Sequence, residues 1–319
     1  MAQSDAHTVA GAGAAPPPFR SGVFPNRRLT RFREGIIGLL LFAAAASSVL
    51  ITAGIVGILA YEAAVFFKRV GLLEFLTDTQ WTPLFADPHY GIMPLVAGTL
   101  VTTAVALAVA LPMGTIVAIY LSEYAPVTVR EILKPVLELL SAVPTVVFGY
   151  FALLFVSPLL QKLIPGLPAF NMLAAGIVMG VMIIPYVSSL SEDAMRAVPM
   201  LLREGAYAMG ANKLVTAVRV VIPAALSGIG AAYILAVSRA IGETMIVAIA
   251  AGMQPNLTWN PTEGAATITT YIVQVSLGDL PHGSIGYQSI FAAGATLFVM
   301  TLAFNLVGHV LRKRYRQAY

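Results

Sequence analysis

Arg239 and Glu243 are the only charged residues in the long apolar run 222–252. On a continuous helix a spacing of four puts both side chains on one face, about 6 Å apart along the axis. An Arg at the centre of a bilayer costs about 2.5–3.5 kcal/mol on insertion scales, so Arg239 is expected to face other helices or water rather than lipid. Two chemistries suit such a pair. It can be a fixed ion pair that holds helices together, or a station on an anion path. In the second case the guanidinium fork matches an oxyanion, and the neighbouring carboxylate keeps the grip weak enough for release. Ser238 and Thr244 flank the pair and can add hydroxyl donors, although such hydroxyls in membrane helices commonly bond their own backbone.

A second constellation lies in the polar stretch 191–221. Pro199 suits the first turn of a helix, Met200 to Met209 are good helix formers, and Gly210 is placed as the C-terminal stop. A second short helix follows, and the chain re-enters apolar sequence at Pro223. Gly205, Ala206, Ala208 and Ala211 would keep the surface slim enough to enter a groove, and Glu204 would present a charge to a basic partner. A helix lying on the membrane surface is the competing reading. Few large apolar residues follow Leu202 to support it.

Other chemistries find little material. There is no cysteine, which excludes disulfides, thiolate nucleophiles and cysteine-ligated metals. His7, His89, His282 and His309 share no ligand spacing. The dipeptide Gly-Lys never occurs, so the chain has no phosphate-binding P-loop, and any ATP must be hydrolysed elsewhere.

The elements that would position these residues are membrane helices. Only 11% of the 319 residues are charged and mean hydropathy is +0.82, against about 25% charged in soluble domains. An all-α, polytopic membrane protein is expected, with six transmembrane helices near 36–62, 92–121, 136–160, 171–190, 222–252 and 288–311. Residues 1–34, rich in Gly, Ala and Pro and then basic, read as a disordered cytoplasmic tail. A permease domain then occupies 35–311, with its loop at 191–221, and 312–319 form a basic tail. The first apolar run follows an Arg-rich stretch and exceeds a signal h-region, so it is expected to remain as an anchor. With both ends inside, fifteen of the nineteen Lys and Arg residues fall on the cytoplasmic side. Gly176 and Gly180 form a close-packing motif for helix pairs. Pro112, Pro144 and Pro185 are expected to kink or interrupt their helices. Trp81, Tyr90, Trp259 and Tyr271, in the outer loops, are expected to anchor at the interface.

Glu204-Gly205-Ala206, Gly210 and Val220-Val221-Ile222-Pro223 together resemble the EAA loop of ATP-binding-cassette importer permeases, with Gly205 in place of the usual first alanine. The resemblance implies a type I importer permease fold, with the loop as the helix that couples to an ATPase. From about residue 70 the likeness narrows to the C-type permeases of the phosphate-specific Pst systems. It rests on Phe75-Leu76-Thr77 with Trp81-Thr82-Pro83, on Ser141 through Gly149, and on Ser238-Arg239-Ala240-Ile241-Gly242-Glu243-Thr244-Met245. What it implies is half of a phosphate path in a bacterial inner membrane. The partners implied are a second, A-type permease, two ATPase copies carrying ATP and Mg, and an external phosphate-binding protein, with no nucleic acid. This chain would bind no cofactor itself.

Three other functions compete. A sulfate or molybdate permease has the same charge logic, and only the span motifs favour phosphate. An ion-coupled secondary transporter would instead show repeats and unwound half-helices. A structural scaffold leaves Arg239 and Glu243 without a purpose.

Overall fold

A computed structural model describes residues 27–314 apart from 84, 86, 279 and 282. Among these, regular structure is helical except for one antiparallel bridge between Trp81 and Tyr90. Six segments are long and apolar enough to cross a membrane: Thr30–Phe67, Met93–Tyr124, Thr145–Leu163, Met172–Arg196, Lys213–Ile241 and Ile285–Arg314. The all-α, six-span architecture is therefore the one observed.

Helix α1 (Arg27–Phe67) starts within the stretch read as a tail, and residues 1–26 lie outside the described residues. The chain divides into two compact units, Met1–Val56 and Gly57–Tyr319. Within the first, Ser47 and Thr52 donate to the carbonyls of Ala44 and Ser48 one turn back, which satisfies their hydroxyls in an apolar helix.

In the second unit, α2 (Leu72–Thr77) leads to α3 (Met93–Ile119), α4 (Val127–Ser141), α5 (Thr145–Phe151) and α6 (Ser157–Leu163). The remaining helices are α7 (Met172–Arg196), α8 (Met200–Ala208), α9 (Lys213–Thr216), α10 (Ile222–Ile241), α11 (Met245–Ala250), α12 (Ile268–Ser276) and α13 (Ile285–Arg314). Wide π-helical turns occupy 120–124, 152–156 and 217–221, and each is followed within two residues by a proline: Pro126, Pro158 or Pro223. Proline lacks an N–H and clashes with the carbonyl four residues back, so a widened turn absorbs its arrival.

α3 and α7 form the centre of the unit, joined by α5, α10 and α11 around Ala106, Met179, Ile183, Ala236 and Ile246. Gly176 and Gly180 are where α3 approaches. A Cβ on Gly176 would come within 2.6 Å of the Val105 Cβ, and one on Gly180 within 2.7 Å of the Ala106 carbonyl oxygen. The motif is thus a helix-packing contact, as its spacing implies.

Three expectations need correction. The third span does not run through 136–160. α4 ends at Ser141 and a new helix begins at Thr145, because Pro144 cannot donate to a continuing ladder and takes an extended ψ of 135°. The fifth span is likewise broken, with α10 ending at Ile241 and α11 starting at Met245. Of the four aromatic residues expected at the interface, only Trp259 is well exposed. Trp81, Tyr90 and Tyr271 are buried with Phe66 and Phe75 in an edge-to-face cluster, with ring centroids 5.0–6.4 Å apart. Such pairing of positive edges with negative faces rewards burial over exposure.

Candidate functional site: a broken helix and a clamped loop

The break at 242–244 separates Arg239 and Glu243 onto different structural elements. Arg239 occupies the last turn of α10, Gly242 caps that helix, and Glu243 lies beyond it. The side chains still face each other, with Nη2 3.8 Å from Oε2, an ion pair too long for a hydrogen bond. They differ sharply in setting. The Arg239 side chain is 41% exposed and lies 5.9 Å from the centre of the Tyr186 ring on α7, whereas that of Glu243 is 3% exposed. The expectation of one continuous helix face is therefore corrected: the pair straddles a break.

Glu243 also organises the break itself. Its Oε1 accepts from the backbone amides of Met245 and Ile246 at 3.2 and 3.4 Å, which satisfies two first-turn donors of α11. Its carbonyl accepts from the Thr269 hydroxyl at 2.8 Å. Thr269 sits on α12, whose capping box at Thr267 and Thr270 fixes its start, and whose Ile268 amide donates to Thr99 on α3. A helix in the connection between the fifth and sixth spans thus holds the break in place. No charge pattern in the sequence announces α12, although Thr267, Thr269 and Thr270 are residues of a cap-forming type.

The flanking hydroxyls do not gather on Arg239. Ser238 donates to Oδ1 of Asn305 on α13 at 3.0 Å, so it ties two helices together. Thr244 reaches only the Gly242 carbonyl, at 3.5 Å.

The polar loop folds as its spacing predicts. Pro199 precedes α8, Gly210 has φ of +82° and ends it, and Asn212 caps α9 by accepting from the Val215 amide. Glu204, Gly205 and Gly210 are exposed and Ala206 is half-buried. A Cβ on Gly205 would meet nothing within 4 Å. The glycine at 205 therefore answers no contact among the described residues.

Arg203, next to Glu204, is what holds the loop. Its guanidinium donates to the carbonyls of Met195 and Val198 at 2.8 and 2.6 Å, and to Oε1 of Glu123 at 3.1 and 3.3 Å. Met195 is in the last turn of α7 and Val198 lies two residues past its end, so the clamp grips the chain where the helix runs out. Close by, Lys134 on α4 donates to the buried Glu192 at 2.8 Å and to Asp193 at 2.6 Å. Burial alone would lower the pKa of the Lys134 ammonium, but the Asp193 and Glu192 carboxylates outweigh it and hold the pKa above its usual value. In the sequence these residues are visible only as positive charge beside a span. Their acidic partners lie 58 to 80 positions away.

A multi-span core, an interrupted helix carrying a half-exposed Arg and a clamped loop define a polytopic membrane transport component. The chain belongs to the family of binding-protein-dependent transport system inner membrane components, matched over residues 110–317. The probable ABC transporter permease protein YqgH of Bacillus subtilis (strain 168) is 34% identical over 292 residues, covering 91% of this chain and 93% of that one. The phosphate transport system permease protein PstC 1 of Mycobacterium tuberculosis (strain ATCC 25618 / H37Rv) is 32% identical over 284 residues, 77% of this chain and 83% of the relative. The crystal structure of a bacterial ABC transporter involved in the import of the acidic polysaccharide alginate has a chain with the same fold. That chain is 17% identical and aligns with a TM-score of 0.61 over 89% of this chain and 99% of its own length.

Proposed function

We infer that the chain is one permease half of an ATP-driven, binding-protein-dependent phosphate importer. The observation that carries this reading is the broken fifth span. There a half-exposed Arg239 is offered to the pathway while a buried Glu243 shapes the break and tempers the positive charge. Phosphate carries one to two negative charges near neutral pH, and the Arg fork suits its oxygens. The name of the mycobacterial PstC 1 relative supports phosphate over sulfate or molybdate. Arg239 and Glu243 are the pathway residues. Ser238 and Thr244, first in line with them by sequence, act on the helices around the pathway.

The loop 191–221 docks on a separate ATPase subunit through Glu204, Gly205, Ala206 and Gly210, and that subunit carries ATP and Mg. The assembly contains a second, A-type permease, two ATPase copies and an external phosphate-binding protein. Both termini face the cytoplasm.

Radiolabelled phosphate uptake, normalised to intact complex, tests the pathway. Arg239→Gln is expected to abolish most uptake while assembly persists. In the double variant Arg239→Gln, Glu243→Gln the charges are removed together, which relieves a purely structural pair of its desolvation cost. Uptake should stay low. Near-normal uptake in the double variant would sink the pathway role.

A further inference from the structure

Beside the clamped loop is a cavity of about 500 Å³ into which four elements send cations: Arg130 from α4, Arg196 from the end of α7, Arg203 from α8 and Lys213 from α9. Glu123 is the one carboxylate among its described lining residues. The charges do not match. Glu123 is taken by Arg203. Arg196 lies 3.5 Å from Glu192 without a hydrogen bond, and that carboxylate already accepts from Lys134. Arg130 and Lys213 have no carboxylate partner among the described residues, and Lys213 only approaches the Tyr124 ring, at 6.0 Å.

Like charges at a surface ordinarily spread into solvent. Here they converge on a concavity with low-dielectric walls, which focuses positive potential. The geometry points to a binding site for a phosphate group, gripped by Arg130, Arg196 and Lys213, with Tyr207 in its lining. Guanidinium forks supply paired donors to phosphate oxygens and the ammonium supplies a point charge. The group can arrive as free inorganic phosphate or as the head group of an anionic phospholipid, since both present the same oxygens. An anion held there bridges α4 and α7 to α8 and α9. It would stiffen the loop that carries Glu204 and Gly210. That consequence rests on the coupling role proposed above, whereas the binding does not.

Binding is measured on the purified intact assembly without the external binding protein, in an Arg239→Gln background that silences the pathway. Radiolabelled inorganic phosphate is dialysed against protein in phospholipid-free detergent. In parallel, native mass spectrometry counts phosphatidylglycerol retained after partial delipidation. At least one probe should bind, and Arg130→Gln with Lys213→Gln should weaken it by about tenfold or more, the loss of one or more charge-assisted hydrogen bonds. Arg130→Lys with Lys213→Arg, which keeps both charges, should restore much of it. Saturable phosphate binding without lipid identifies the free ion, and lipid retention without phosphate binding identifies the head group. Neither replaced side chain makes a hydrogen bond among the described residues, so lost binding with an unchanged melting temperature is not misfolding. The site is overturned if neither probe binds, if the Gln double variant binds equally well, or if a zero-length carbodiimide links Lys213 to a carboxylate of the ATPase. Failure here leaves the Arg239 uptake result untouched.

Discussion

At the scale of single residues, Glu243 combines two tasks that different substitutions separate. One carboxylate oxygen caps α11 and the other faces Arg239. Glutamine keeps an acceptor for the amides and loses the charge, whereas alanine loses both. Glu243→Ala is expected to melt at a lower temperature than Glu243→Gln, because a lost N-terminal cap costs about 1 kcal/mol. The Gln variant should assemble like the parent and, on the pathway role proposed above, transport poorly, because Arg239 would then hold an anion without a competing carboxylate. Thermal unfolding of the purified variants is the measurement. Equal melting temperatures for Ala and Gln would show that the cap contributes nothing.

Two elements carry predictions of their own. The α8–α9 loop depends on the left-handed backbone at Gly210, where a β-branched residue costs on the order of 1–3 kcal/mol. Gly210→Val and the charge-reversing Glu204→Arg should each lower uptake and ATPase copurification while the chain remains in the membrane. Normal transport by either would remove that residue from the coupling surface. The loop around the Trp81–Tyr90 bridge contains a titrating pair, His89 Nδ1 and Asp78 Oδ2, 3.0 Å apart. The hydrogen bond that His89 donates to the Asp78 carboxylate raises the His89 pKa above its usual 6.5. Burial pushes Asp78 up, but the Gln80 amide and His89 outweigh it, leaving its pKa below 3.8. The contribution from His89 is fully present below pH 6.5 and fades as pH rises through its elevated folded pKa. That from Asp78 is present above 3.8 and fades as pH falls through its depressed one. An NMR titration should place His89 above 6.5, and Asp78→Asn should move the midpoint down. A midpoint indifferent to that substitution would contradict the pairing.

At the scale of the whole molecule, cations gather at one end of the helices. Arg130, Lys134, Arg196, Arg203 and Lys213 meet around one group of helix ends in the second unit, joined by Glu123, Glu192 and Asp193. That clustering agrees with the charge asymmetry of the sequence, because these cations all fall in segments assigned to the cytoplasm. Cysteines introduced at Ser4 and Ala318 should therefore resist an impermeant thiol reagent in intact cells and react after permeabilisation. Labelling of either in intact cells reverses the assignment. The absence of native cysteine makes the readout unambiguous.

Hydropathy by itself determined the class of this protein, because a bilayer tolerates only long apolar helices and closed barrels, and these runs have helical length. Local chemistry likewise determined the α8 stop at Gly210 and marked Gly176 and Gly180 as a helix-packing face, since each depends on a missing Cβ, but only the fold made α3 the helix that packs there. The breaks were only half legible. Pro144 marks one, but Gly242-Glu243-Thr244 continues an apolar run, and nothing local shows that Thr269, 26 positions on, will hold the Glu243 carbonyl. The Arg203–Glu123 and Lys134–Glu192 pairs were invisible for the same reason. Hydropathy and helix periodicity register neighbours a few residues apart. Partners 58 to 80 residues apart meet only when packed helices bring their ends together, so tertiary structure alone decided the loop's clamp, the shape of the break around Arg239 and the basic cavity.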